Sequence, residues 1–103
     1  MCMTLLMNDT KAVRQVVITN PQGLHARPAD MFVKLAVRFE AKVDVIKDNE
    51  RVDGKSILAI LTLAAVEGTE LTIVATGCDA NEAIDALAEL VQTNFAENEN
   101  CET

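Results

Sequence analysis

Apolar and polar positions along this chain follow two periods, and the period changes several times. Alternation predicts strands over 42–46 and 71–76, β-branched residues predict one over 13–19, and turn residues on both sides predict a short one around 51–52. Helical spacing marks three others: 26–40, a short run from Ser56 through about Leu63, and a segment that begins after Asp79. The resulting order is β-α-β-β-α-β-α. It predicts an α+β domain in which one sheet carries helices on one face.

The predicted helices also carry capping residues and apolar stripes. Ser56 is a preferred N-cap for the short helix, and Asp79 with Glu82 three residues later has the spacing of a capping box. The last helix has an apolar stripe that consists of Ala83, Ile84, Leu87, Leu90 and Val91. The pattern alone leaves open a ferredoxin-like split βαβ fold.

The length predicts one domain, because 103 residues suit a single core of ordinary size. We expect a loose N-terminal leader over 1–10, the domain over 11–97 and a flexible acidic tail over 98–103. The leader lacks the early Lys or Arg of an export signal, and no segment approaches the roughly 18 apolar residues of a membrane span. The prediction is a cytoplasmic protein that does not insert into a membrane.

The charge balance narrows the classes of partner. Sixteen acidic residues against nine basic ones give a formal net charge of −7, and the chain has no Trp or Tyr. Nucleic acids and anionic membranes select basic surfaces, and single-stranded nucleic acids also select aromatic ones. These partners are therefore not expected, which leaves small molecules and other proteins.

The cysteines do not have the spacing of a metal site. Cys2, Cys78 and Cys101 are far apart, and the sequence has no CxxC pair and no histidine near any of them. We expect neither a metal site nor, in a reducing cytosol, a structural disulfide.

The single histidine, His25, lies between the end of a predicted strand and the start of a predicted helix. If His25 is the N-cap, Ala26 and Arg27 have unpaired backbone N–H groups, and Pro28 loses no hydrogen bond in the first turn. Helix N-termini bind phosphate, and the forked guanidinium of Arg27 matches phosphate oxygens. The alternative from these residues alone is that His25 only caps a helix and Arg27 is a solvated charge.

Two segments resemble the signatures of a known family. Gly-Leu-His-Ala-Arg-Pro-Ala, over 23–29, is similar to the phosphohistidine motif of the HPr family, the small carriers of the phosphoenolpyruvate-dependent phosphotransferase system. Val-Asp-Gly-Lys-Ser-Ile-Leu, over 52–58, is similar to the second signature of that family. The resemblance covers about 85 residues. It implies an open-faced β-sandwich of four antiparallel strands with three helices on one face, in place of the ferredoxin-like alternative.

The resemblance implies a carrier and not an enzyme, with no cofactor. His25 would accept the phosphoryl group through its Nδ1 atom, and Arg27 would contact the phosphate. The donor would be enzyme I, and the acceptor would be an IIA-type protein or domain in bacterial sugar uptake. A nitrogen-linked or regulatory carrier without a transport partner is the alternative.

The resemblance also implies partner contacts around the short helix. That helix is apolar all round, so part of it should be exposed, and Ile57, Leu58 and Leu61 share one side while Ile60 and Leu63 face inward. In the family the positions of the first three flank the histidine and dock both partners. Lys55 would recognise an acidic partner or be solvated.

Two further residues, Ser56 and Asp30, bear on regulation and on the charge near the phosphate site. Ser56 matches a serine that a dedicated kinase phosphorylates in part of the family, although Ser is a preferred N-cap in any case. Asp30 stands where the family has a small or neutral residue, and we place it in the first helical turn, where its charge would repel a neighbouring phosphate.

Overall fold

A computed structural model describes residues 10–93 and residue 95. Its elements are β1 (Lys11–Val17), α1 (Ala26–Ala36), β2 (Lys42–Lys47), β3 (Glu50–Asp53), α2 (Ile57–Thr62), β4 (Glu70–Thr76) and α3 (Ala80–Gln92). The predicted α+β order is thus confirmed. Apart from Thr10, the leader predicted over 1–10 lies outside the described residues, as does the tail predicted over 98–103.

The four strands form one sheet in the order β1-β4-β2-β3, and each neighbouring pair is antiparallel. The register places Val74 of β4 opposite both Val13 of β1 and Asp44 of β2. A ferredoxin-like split βαβ fold is also antiparallel between neighbouring strands, but its strand order is β4-β1-β3-β2, with β1 inside the sheet. Here β1 lies at the edge of the sheet and β4 lies between β1 and β2, so the ferredoxin-like alternative is excluded.

The core lies between the helices and the face of the sheet that they cover. Apolar side chains from every second strand position meet the helical stripes there, and the largest fully buried ones are Ile18, Ile60, Leu63, Ile73, Leu87, Val43, Val45 and Val91. The opposite face is open at its β1 edge, where Val13 and Val17 are exposed. All five residues of the predicted α3 stripe are buried, which confirms the periodicity that assigned them.

Helix α1 is shorter than the predicted segment 26–40. After Ala36 the chain tightens, because the N–H groups of Arg38 and Phe39 donate to carbonyls three residues back and not four. The N–H groups of Glu40 and Ala41 then donate to the carboxylate of Asp79 at 2.9 and 2.8 Å. The predicted capping box at Asp79 is therefore wrong: this carboxylate makes no capping hydrogen bond to α3, since it satisfies two amides from a distant turn.

Cys78, in the turn that precedes α3, is disulfide-bonded. The expectation of no structural disulfide is therefore wrong. It rested on a reducing cytosol and not on the positions of the thiols in the fold, and those positions determine which thiols can pair.

Candidate functional site

His25 is the N-cap of α1, as predicted. Its backbone is extended, with φ −86° and ψ −167°, and its carbonyl accepts the first helical hydrogen bond, from Ala29 N–H at 3.0 Å. The imidazole is exposed and makes no capping hydrogen bond. The ring is therefore accessible at the positive end of the helix.

The two residues before His25 fix its direction. Gly23 has φ +70°, and a Cβ atom at this position would clash with the carbonyl oxygen of Ala65. The N–H of Leu24 donates to that same oxygen at 2.8 Å, and the Leu24 side chain is buried in the core. Only glycine fits this close approach, and the buried leucine leaves the next side chain, His25, on the surface.

The carbonyl oxygen of Gly23 is a shared acceptor beside the imidazole. The side-chain amide of Asn20 donates to it at 2.7 Å, and the N–H of His25 donates to it at 3.0 Å. Nδ1 of His25 lies 3.2 Å from the same oxygen. The ring holds this orientation by hydrogen bonding when its proton is on Nδ1.

The hydrogen-bond donors at the helix start are unpaired. Across residues 10–93 and 95, the backbone N–H groups of Ala26 and Arg27 have no acceptor, and Pro28 has no N–H. In the same part of the chain the exposed guanidinium of Arg27 has neither a hydrogen-bond nor an ion-pair partner. Two free amides, a helix dipole and a free guanidinium together make a site suited to a tetrahedral anion.

These groups border a cavity of about 310 Å³. It is lined by Asn20, Pro21, Gln22, His25, Arg27, Pro28, Met31 and Phe95. Sequence reasoning missed Asn20, Met31 and Phe95 as part of this site. Met31 could have been found from its place one turn after Pro28 on α1, whereas Phe95 reaches the site from beyond the end of α3 and left no local signal. Within the described part of the chain, the buried Oδ1 of Asn20 has no hydrogen-bond partner.

Helix α2 presents its residues unequally. Leu58 is 72% exposed, whereas Ile60 and Leu63 are each only 1% exposed. Ile57 and Leu61 lie between these extremes and pack partly against the core. Of the three residues predicted to share a docking side, Leu58 alone projects fully into solvent.

Ser56 and Lys55 both hold structural hydrogen bonds. The Oγ atom of Ser56 accepts from the N–H of Ala59 at 3.2 Å, so Ser56 caps α2 as predicted. The ammonium of Lys55 donates to the carbonyl of Phe39 at 2.7 Å. Lys55 is therefore held at the C-terminal end of α1, and it does not line the cavity beside His25.

Asp30 lies one turn further along α1 than predicted. The helix begins at Ala26, so Asp30 is its fifth residue, and the first turn contains no acidic side chain. Its carboxylate pairs with Lys34 at 3.3 Å, and Asp30 does not line the cavity. The predicted position in the first turn is therefore wrong.

Neither a metal cluster nor a membrane span is found among residues 10–93 and 95. No group of three or more His, Cys, Asp or Glu side chains is arranged to hold a metal ion. None of the described helices is long and apolar enough to cross a membrane.

The fold and the site together define a small open-faced α+β domain with its only histidine at a helix N-terminus whose unpaired donors suit an anion. Residues 12–93 match the family model described as PTS HPr component phosphorylation site. The chain therefore belongs to the HPr family of phosphocarriers, which are carrier proteins and not enzymes.

Individual relatives agree with this assignment. The chain is 40% identical over 85 residues to phosphocarrier protein HPr of Treponema pallidum, a match that covers 82% of this chain and 97% of the relative. It is 38% identical over 88 residues to phosphocarrier protein NPr of Shewanella violacea, with 85% and 97% covered. The crystal structure of HPr-C-His from Thermoanaerobacter tengcongensis superposes with a TM-score of 0.81 at 40% identity, over 84% of this chain and 98% of that one.

Proposed function

We propose that this protein accepts a phosphoryl group on His25 from phosphorylated enzyme I and passes it to an IIA-type protein or domain in cytoplasmic sugar uptake. One observation carries the proposal: the only histidine of the chain is exposed at a helix N-cap, beside two unpaired amides and the free guanidinium of Arg27. Membership of the HPr family supplies the phosphoryl chemistry.

The transfer needs little from the protein beyond position and charge. A lone pair on the imidazole attacks phosphorus, a new N–P bond forms, and the bond between phosphorus and the donor breaks, with its electron pair leaving on the donor. Arg27 and the free N–H groups of α1 offset the negative charge on the phosphoryl oxygens. Because the ring is exposed, the same group remains open to attack by the next acceptor.

The family resemblance assigns the phosphoryl group to Nδ1, the ring nitrogen that faces the Gly23 carbonyl at 3.2 Å. When Nδ1 carries the proton it donates to this oxygen, and it then has no lone pair for attack on phosphorus. Acceptance at Nδ1 therefore requires the proton to be on Nε2 and the ring to turn away from Gly23. We assign the described ring position to the unphosphorylated protein.

For the docking of enzyme I and the IIA-type acceptor we assign the central contact to Leu58. Its side chain is 72% exposed on α2, so Leu58 has more apolar surface to bury against a partner than its half-buried neighbours. Ile57 and Leu61 support it from their half-buried positions. The ammonium of Lys55 contributes less, because it is already bound to a backbone carbonyl.

The test is incubation with enzyme I and phosphoenolpyruvate, followed by measurement of the intact mass. We expect an adduct of about 80 Da that is lost in acid and stable in base, as the N–P bond of phosphohistidine requires. Ser56→Ala should gain the same adduct and His25→Ala should not. An adduct that survives acid, or one that forms equally on His25→Ala, would contradict the proposal.

A second candidate is a regulatory carrier that has no transport partner and is controlled by a serine kinase. Ser56 favours it, because a phosphoserine at the start of α2 would suit the helix terminus while adding about −1.5 to −2 charges beside Leu58. An unpaired charge that must lose water on docking opposes the contact with enzyme I. The chain matches a relative named NPr as well as relatives named HPr, and this match supports the second candidate.

Ser56 variants separate the two candidates. Under the regulatory candidate, Ser56→Asp should accept phosphate from enzyme I more slowly than Ser56→Ala, with the melting temperature unchanged or raised. If both variants, and authentic phosphoserine protein, accept phosphate at the wild-type rate, Ser56 is only a helix cap.

A further inference from the structure

Phe95 adopts a backbone conformation that is rare for its side chain. Its φ is +59°, in the left-handed region where bulky residues other than glycine are outliers. Its N–H donates to the carbonyl of Leu90, five residues back, at 2.9 Å and so closes the end of α3. Its side chain is nevertheless buried, at 6% exposure. A strained residue persists only where its surroundings hold it in place.

Phe95 is one of the residues that line the cavity beside His25. Among the described residues, every other one that lines this cavity belongs to the single segment 20–31, which runs through the histidine loop and the start of α1. Phe95 is the only aromatic among them, and it joins Pro21, Pro28 and Met31 as the apolar part of the lining. The end of α3 thus adds an aromatic wall to a site that is otherwise built by one continuous stretch of chain.

We propose that the ring of Phe95 shields the phosphoryl group on His25 from water. The inference rests on the proposed function, because it requires phosphohistidine to form. A carrier must expose its phosphoryl group to a protein acceptor and still keep it long enough to meet one. An apolar wall on one side of the imidazole limits the directions from which water approaches phosphorus, and it leaves the solvent side open for a partner.

The competing reaction is hydrolysis. A water oxygen forms a bond to phosphorus as the N–P bond breaks, the ring nitrogen keeps the electron pair of that bond and takes a proton, and inorganic phosphate leaves. Water must reach phosphorus in line with the N–P bond. Loss of the ring of Phe95 should therefore raise the hydrolysis rate more than it changes transfer between docked proteins.

The experiment compares variants that separate the ring from the backbone strain. Phe95→Gly and Phe95→Ala both remove the ring, but only glycine relaxes the positive φ. Phe95→Leu keeps an apolar side chain at this position. Phe95→Asn introduces a polar side chain, and asparagine tolerates a positive φ. Val37→Ala, at the exposed C-terminal end of α1, is the control for loss of an apolar side chain.

Each variant is phosphorylated with phosphoramidate, a small donor that needs no protein docking. The loss of the adduct is followed by intact mass at neutral pH, below the melting temperature of every variant. Phe95→Gly, Phe95→Ala and Phe95→Asn should hydrolyse about three- to tenfold faster than wild type, whereas Phe95→Leu and Val37→Ala should stay close to it. The melting temperature of Phe95→Gly should also be equal to or higher than that of Phe95→Ala.

Several results would overturn the shielding role. One is a wild-type hydrolysis rate in folded Phe95→Gly and Phe95→Asn. Another is faster hydrolysis in Phe95→Ala alone, which would mean that the strained backbone conformation, and not the lost ring, causes the increase. A third is equally fast hydrolysis in Phe95→Leu and Phe95→Asn. If the wild-type protein gains no acid-labile adduct at all, the proposed function fails together with this inference. If all variants are phosphorylated normally and hydrolyse at the wild-type rate, only the role of Phe95 is refuted.

Discussion

Substitution of Gly23 by alanine tests how the loop positions His25. An alanine there meets two costs: the backbone must hold φ +70°, and its Cβ would clash with the carbonyl oxygen of Ala65 and lie 2.9 Å from Cα of Val66. The left-handed conformation alone costs about 1–2 kcal/mol. Relief of the clash would move the loop, break the hydrogen bond of Leu24 to Ala65 at about 1 kcal/mol, and partly expose the Leu24 side chain.

The sum predicts that Gly23→Ala lowers the free energy of unfolding by about 3 kcal/mol or more. Gly68→Ala is the matched control, because Gly68 has φ +90° and its added Cβ would meet nothing within 4 Å. It should lose only about 1–2 kcal/mol, the cost of the backbone conformation. Urea denaturation measures both losses on one scale, provided that the slope of the transition is unchanged.

Gly23→Ala should also slow phosphoryl acceptance at His25, whereas Gly68→Ala should leave it unchanged. The fold should survive the first substitution, since small domains are stable by about 5–15 kcal/mol. If the two variants lose the same stability, the close approach between Gly23 and Ala65 does not position the loop, and this reasoning is refuted. Equal loss of acceptance in both variants would refute it as well.

Three further substitutions test the remaining parts of the account. Arg27→Ala should slow phosphoryl acceptance about 10- to 100-fold and change the free energy of unfolding by less than about 0.5 kcal/mol. The control is Arg38→Ala, which removes another exposed arginine on the same side of the sheet and should change neither quantity. If both variants accept phosphate at the same rate, Arg27 is only a solvated charge. Leu58→Glu should raise the Kd for enzyme I in a titration and leave the melting temperature unchanged; a collapse of the fold would place Leu58 in the core. Asp79→Asn should lower the free energy of unfolding by about 1–3 kcal/mol, because Glu40 and Ala41 donate to different carboxylate oxygens and asparagine would turn its NH2 group toward one of these two donors. An unchanged midpoint in urea denaturation would mean that these two hydrogen bonds contribute nothing.

Most of the fold could be predicted because its elements are amphipathic and short. The stripe of α3 and the alternation in β4 depend only on which residues face the core, so period alone identified them. Ser56 was predictable as a cap because its bond to Ala59 is local. The role of Asp79 was not, since its carboxylate binds amides that lie 39 and 38 positions away in the chain. Sequence patterns record local partners and omit such distant ones.

The candidate site divides in the same way. The N-cap position of His25 followed from a strand, a turn and Pro28 in sequence, and the structure confirms that position. The cavity beside it did not follow, because one of its walls is Phe95 from the end of α3. The shared acceptor at Gly23 was missed too, since Asn20 and His25 converge on it only once the loop is folded.

The central claim, that His25 carries the phosphoryl group, is tested most directly by locating the group on the chain. The protein is incubated with enzyme I and phosphoenolpyruvate, digested at a pH where phosphohistidine is stable, and sequenced by fragmentation mass spectrometry. The account predicts the added mass of about 80 Da on His25 alone, and an unlabelled His25→Ala variant. Label on another residue of the wild-type protein, with His25 unmodified, would contradict it.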